Sequence, residues 1–115
     1  MTFKSSTIIK QGGRKMRMSN QGLPAIHPGE FLAEILQEFD LSQARFARAI
    51  SVSPMRISHV VNGMRPVTAE LALRFGRAFG QSPQYWLNLQ ASYDLKQAEI
   101  RIGEQLSEIT ELTVA

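Results

Sequence analysis

Apolar residues recur at helical spacing along most of the chain, and no run of useful length alternates with period two. Phe31, Leu32, Ile35, Leu36 and Phe39 fall at 0, +1, +4, +5 and +8, a wide stripe on one side of a helix. Phe46, Ala47 and Ile50 form a second, shorter stripe, and Ile57, Val60 and Val61 a third. Leu71, Phe75, Ala78 and Phe79 form a fourth at 0, +4, +7 and +8. Trp86, Leu89 and Tyr93 open a fifth, which runs on through Leu95, Ala98, Ile102, Leu106 and Ile109. The pattern predicts an all-α chain of five helices, the last drawn out into a C-terminal helical extension.

The punctuation between these stripes agrees with them. Pro28 sets the start of the first helix, and His27 before it reads as a loop or capping residue. Ser42 can cap the second helix and Thr68 the fourth. Ser53-Pro54 and Ser82-Pro83 repeat a cap followed by proline at the first helical position, where the missing N–H costs nothing. Asn62-Gly63 and Gly80 are stop signals. The fifth stripe is long for one helix, so either a continuous helix or one hinged near Asp94 or Gly103 fits it. Residues 1–22 are polar, basic and rich in Gly and Ser, which reads as a disordered arm, with Met16 or Met18 as an alternative start. The expected organisation is therefore an arm over 1–22, one domain over 23–109 and a frayed tail over 110–115.

The stretch Gln43 to Val61, QARFARAISVSPMRISHVV, reads as two short helices joined by a tight turn at Ser51-Val52. Ile57, Val60 and Val61 face inward. Met55, Arg56, Ser58, His59 and Asn62 are left on or near the outer face. The first turn of a helix started by Ser53 and Pro54 presents free N–H groups that favour a phosphate or a base edge.

Charge sharpens this picture more than composition does. The sum is only +3, but it is segregated. Residues 41–80 hold six arginines and one acid, Glu70, whereas 28–40 hold four acids and no base. Residues 94–115 carry five acids against two bases, and 1–22 carry five bases and no acid. A polyanion is drawn to the basic middle of such a chain. Within the first helix, Glu30, Glu34 and Glu38 make an acidic line. It is either a solvated face favoured by the helix dipole or a docking surface for a basic protein. With 115 residues and 43% hydrophobic content, one globular domain is expected. The absence of cysteine excludes disulfides and thiolate chemistry. Two isolated histidines and no paired acids in an apolar setting leave no catalytic constellation, no metal site and no cofactor or small-molecule site. No apolar run approaches the ~20 residues that a membrane helix needs, and no signal peptide is evident, so a cytoplasmic protein is expected.

The segment Gln43–Val61 resembles the helix-turn-helix of lambda-repressor-like bacterial regulators. Gln43 opens the motif, Ala47 is the small residue where the helices cross, Val52 plugs the turn, and Ile57 and Val60 point inward. Ser51 departs from the family's usual glycine and would need positive φ, at a cost of roughly 1 kcal/mol. The resemblance implies that the start of the third helix enters the DNA major groove. By position, Pro54, Met55, Ser58 and His59 then face base edges, with Arg56 able to reach guanine or a phosphate. Gln43, Ser53, Asn62 and Arg65 match positions that hold the DNA backbone. One such motif covers about half an operator, so a two-fold dimer is expected, with recognition helices about 34 Å apart. Its seam is expected along Trp86, Leu89, Tyr93, Leu95 and Ile102, the alternative being a long helix packed within its own monomer.

A narrower resemblance extends over roughly residues 26–100. HPGEFLAEIL, the helix-turn-helix, and then SPQYWLNLQASYDLKQAE are similar to the HigA (VapI-like) antitoxin family. That likeness implies two partners: operator double-stranded DNA, and a HigB-type, RelE-like toxin that cleaves mRNA. It implies neutralisation of the toxin and repression of the shared operon. A stand-alone or phage-type repressor of the same fold is the alternative.

Overall fold

The computed structural model describes residues 24–114. Among them are five helices: α1 (Pro28–Glu38), α2 (Gln43–Ala49), α3 (Pro54–Val61), α4 (Ala69–Phe79) and α5 (Pro83–Leu106). The basic arm expected over 1–22 lies outside the described residues.

Every helix start is closed by a side chain. Ser42, Ser53, Thr68 and Ser82 each accept a backbone N–H from the first turn, at 3.1–3.2 Å. The α1 cap is His27, whose Nδ1 accepts the Gly29 N–H at 2.8 Å. These bonds satisfy donors that have no intrahelical partner, each typically worth about 1 kcal/mol. Gly80 ends α4 in the left-handed conformation at φ 68°, as its position predicts.

The core joins all five helices. Leu32 and Leu36 of α1, Phe46 and Ala47 of α2, Ile57 and Val60 of α3, and Leu71, Ala72 and Phe75 of α4 are buried together. Trp86 of α5 is 0% exposed at their centre. Its ring meets Phe75 edge-on at 5.1 Å, and its Nε1 donates to Gln81 Oε1 at 2.8 Å. Phe46 stacks on Phe79, also at 5.1 Å. Two residues of the first four predicted stripes lie elsewhere. Ala78 is exposed, and the inward position on α4 belongs to Gly76, where a Cβ would come within 2.6 Å of the Gln81 carbonyl. Phe39 caps α1 and is 59% exposed, stacked on Phe79 at 5.7 Å.

Gly29 positions α3. A Cβ there would lie 1.9 Å from the Val60 carbonyl oxygen and 2.9 Å from that of Val61. The first turn of α1 therefore rests directly on the last turn of α3, backbone against backbone. A second brace comes from Gln90, a buried amide on α5. Its Oε1 accepts the Val67 N–H at 2.8 Å and its Nε2 donates to Asp94 at 2.9 Å. This fixes the loop that follows α3.

Beyond Tyr93 α5 leaves the core. Leu95 is 65% and Ile100 74% exposed, and the helix is interrupted at Ile102 (φ −122°, ψ 19°). The hinge falls beside Gly103 and not at Asp94. Residues 107–114 carry no helix.

Candidate nucleic-acid interface

The turn between α2 and α3 is closed by backbone bonds. The Ser51 N–H donates to Arg48 O at 3.2 Å and the Val52 N–H to Ala47 O at 2.9 Å. Ser51 has φ 61°, the left-handed conformation expected of it. Ala47 is fully buried at the crossing, and Val52 packs half-buried against the core.

This turn sets α3 with one side sunk and one free. Ile57 and Val60 are 0% exposed, whereas Met55 is 67% exposed. Ser53, Pro54, Asn62 and Arg65 are exposed too, and Ser58, His59 and Gln43 are half-buried. The Asn62 amide donates to Ser58 Oγ at 3.3 Å. The His59 carbonyl accepts from Met64 at 2.8 Å and from Arg65 at 3.2 Å, which curls the loop around the end of the helix.

Arg56 is not free. Its Nη2 lies 3.3 Å from Glu70 Oε1 at the start of α4. Glu70 also accepts from Arg74 Nε at 3.1 Å, and Arg74 Nη1 donates to the Ile50 carbonyl at 2.7 Å. The hydrogen bonds from Arg56 first, and then from Arg74, hold the Glu70 carboxyl below the usual glutamate range. Sequence reading found the basic segment but not this partner. The Glu70–Arg74 spacing of i, i+4 was a visible signal, whereas the pairing of Arg56 with Glu70 depends on how α3 meets α4.

The residues expected on a dimer seam divide. Trp86 is enclosed in its own core and offers no surface to a second copy. Leu89 is half-buried against the same core, and Tyr93 meets His27 edge-on at 4.9 Å. Leu95 is exposed and Ile102 sits half-buried at the helix break. A recess of about 270 Å³ next to His27, Asn62 and Tyr93 is open and falls below the size of an ordinary ligand pocket. Among the described residues no cluster of His, Asp and Glu could hold a metal ion, and no helix is long and apolar enough to cross a membrane.

Five helices with a capped turn that presents the third define a helix-turn-helix protein of the lambda-repressor-like class. A family model described as helix-turn-helix matches residues 32–86. The chain is 51% identical over 78 residues to virulence-associated protein I of Dichelobacter nodosus, covering 67% of this chain and 72% of that one. It is similar to an addiction module antidote protein of the HigA family from Coxiella burnetii, at 39% identity and a TM-score of 0.76, over 78% of this chain and all of that one. It is also similar to the Pseudomonas aeruginosa antitoxin HigA, solved with the higBA promoter, at 43% identity and a TM-score of 0.75, over 78% of this chain and all of that one. The chain belongs to the HigA (VapI-like) family. Relatives of the chain are described as helix-turn-helix transcriptional regulators and antitoxins.

Proposed function

We propose that this protein represses transcription by binding operator DNA through the first turn of α3, and that it is the antitoxin of a toxin–antitoxin pair. The observation that carries the DNA reading is the division of α3. Its inner residues are sealed in the core while Ser53, Pro54 and Met55 at its capped start are exposed. The likeness to an antitoxin solved with its promoter supports the same reading.

In this mechanism Met55 and Pro54 pack on a thymine methyl, and His59 and Ser58 meet base edges. Gln43, Ser53, Asn62 and Arg65 hold phosphates and set register. Two copies bind as a dimer, with Leu89, Tyr93, Leu95 and Ile102 on the surface of α5 as the seam. The partner is a basic HigB-type toxin of RelE-like activity. The antidote and antitoxin descriptions of the relatives support it, as do Glu30, Glu34 and Glu38, which carry no ion pair among the described residues.

The test is fluorescence anisotropy on the gene's own upstream DNA, with and without the neighbouring gene product. Operator affinity should fall steeply with salt, since each phosphate contact adds about 0.9 to the slope of log K against log salt. The neighbouring protein should co-purify with the chain and alter binding. A flat salt response refutes DNA binding by the basic face. A chain that binds its operator but ignores the neighbouring product is a stand-alone repressor.

A further inference from the structure

Among the forty residues from 41 to 80 there is one acid, and it stands beside the recognition helix. A carboxylate there repels phosphate and lowers affinity for any duplex. Its surroundings suggest what offsets that cost. Arg56 occupies the third position of α3, where the positive end of the helix dipole opposes a cation. Glu70, at the second position of α4, supplies the opposite charge that holds the guanidinium there, through Nη2 at 3.3 Å. A guanidinium has five N–H donors, so this bond leaves others free.

The carboxylate is itself held. Arg74 grips Glu70 Oε2 through Nε and Nη2, both at 3.1 Å, and is anchored by its bond to the Ile50 carbonyl at the end of α2. A string of polar contacts thus runs from α2 through α4 to α3. At its end is a cation 31% exposed, paired near the residues proposed to face bases. Without the string, a flexible arginine would swing to the nearest phosphate, a contact that carries no sequence information.

We propose that Glu70 is a specificity-determining positioning residue: by holding Arg56 beside the start of α3 it keeps that cation on a base edge and off the DNA backbone. The inference rests on the DNA-binding reading above. Glu70 itself touches no base. It acts through Arg56, giving up non-specific affinity for discrimination, as repulsive elements at specific interfaces do.

The experiment compares the full chain with Glu70→Gln, on the gene's own upstream duplex and on a scrambled duplex of equal length. The variant should bind the scrambled duplex more tightly. Its ratio of specific to scrambled affinity should fall by about fivefold or more, the low end of what one good base contact supplies. One added phosphate contact should also cost it about 3.5-fold more scrambled-duplex affinity than the native chain loses between about 50 and 200 mM salt. In an Arg56→Ala background, Glu70→Gln should leave the ratio unchanged within about twofold, because the two act as one unit. A readout without DNA is the Arg56 Nη–H resonance, which should be distinct in the native chain, where Nη2 meets Glu70, and collapse onto those of free arginines in Glu70→Gln. An unchanged ratio in the single variant overturns the proposal. So does an equal fall in the Arg56→Ala background, or a resonance indifferent to residue 70. A native chain that does not discriminate between the duplexes sinks the parent reading; one that does, with Glu70→Gln behaving identically, sinks this inference alone.

Discussion

Replacing Gly29 by alanine should damage this protein more than any other single methyl addition to the glycines among the described residues. The new Cβ would stand 1.9 Å from the Val60 carbonyl oxygen, with the Val60 carbon at 2.8 Å and the Val61 oxygen at 2.9 Å. All three neighbours are backbone, so no rotamer change can clear them. The α1 and α3 helices must separate by about 1 Å, a gap that forfeits a quarter to a half of the dispersion attraction between facing atoms. The atoms concerned include Leu32, Leu36, Ile57 and Val60, all nearly or wholly buried. Overpacking of this kind costs about 3 kcal/mol, the upper part of its usual range. At about 4–8 °C per kcal/mol for a domain of this size, the melting temperature should drop by about 15 °C. Circular dichroism melts would read it, with Gly103→Ala as the control. Nothing lies within 4 Å of a Cβ at Gly103, and the gain in helix propensity there should hold or raise stability. A fall of less than about 4 °C for Gly29→Ala, worth under 1 kcal/mol, would refute the claim that α1 seats the recognition helix by direct backbone contact.

Three other outcomes are expected. Gln90→Ala leaves the buried Val67 N–H without its acceptor and should cost about 1–3 kcal/mol in urea denaturation. Ser51→Gly relieves a left-handed serine, and should raise stability by about 0.5–1 kcal/mol in the same assay, unfolded-state entropy offsetting part of the gain. Burial holds the His27 imidazole below its ordinary 6.5, so as pH falls through that value the unfolded chain takes up a proton that the folded chain refuses. Stability should therefore decline through that window and level off below the folded value. His27→Asn, which retains a capping acceptor, should flatten the difference between urea midpoints at about pH 7.5 and about pH 5.5.

The parts of the fold that were legible in the sequence are those set by local chemistry. Ser42, Ser53, Thr68, Ser82, Gly80 and the positive φ of Ser51 follow from what each residue can do within its own turn. Ile57 and Val60 followed from spacing, because a short helix against a core has one inward face. What escaped depends on how elements approach one another. Gly76 replaces Ala78 on the inward face of α4 because the chain before Pro83 comes too close for a side chain. Trp86 shares its period with Leu89 and Tyr93, so the sequence reads it as part of a seam; only the fold shows the start of α5 driven into the core and its later turns leaving it. Gln90 carries no local signal, since its role depends on the Val67 N–H of a distant loop pointing at it. At the candidate site, the outward set was visible as residue types, but the tether from Arg56 to Glu70 joins residues fourteen apart on helices that meet only in three dimensions.

Backbone amide perturbations of the labelled chain, titrated with its own upstream duplex, test the central claim most directly. The largest shifts should fall at Ser53, Met55, Arg56, Ser58 and His59, with smaller ones at Gln43, Asn62 and Arg65 and none at Phe75 or Trp86. Shifts gathered along α5 while Met55 and His59 stay still would contradict it.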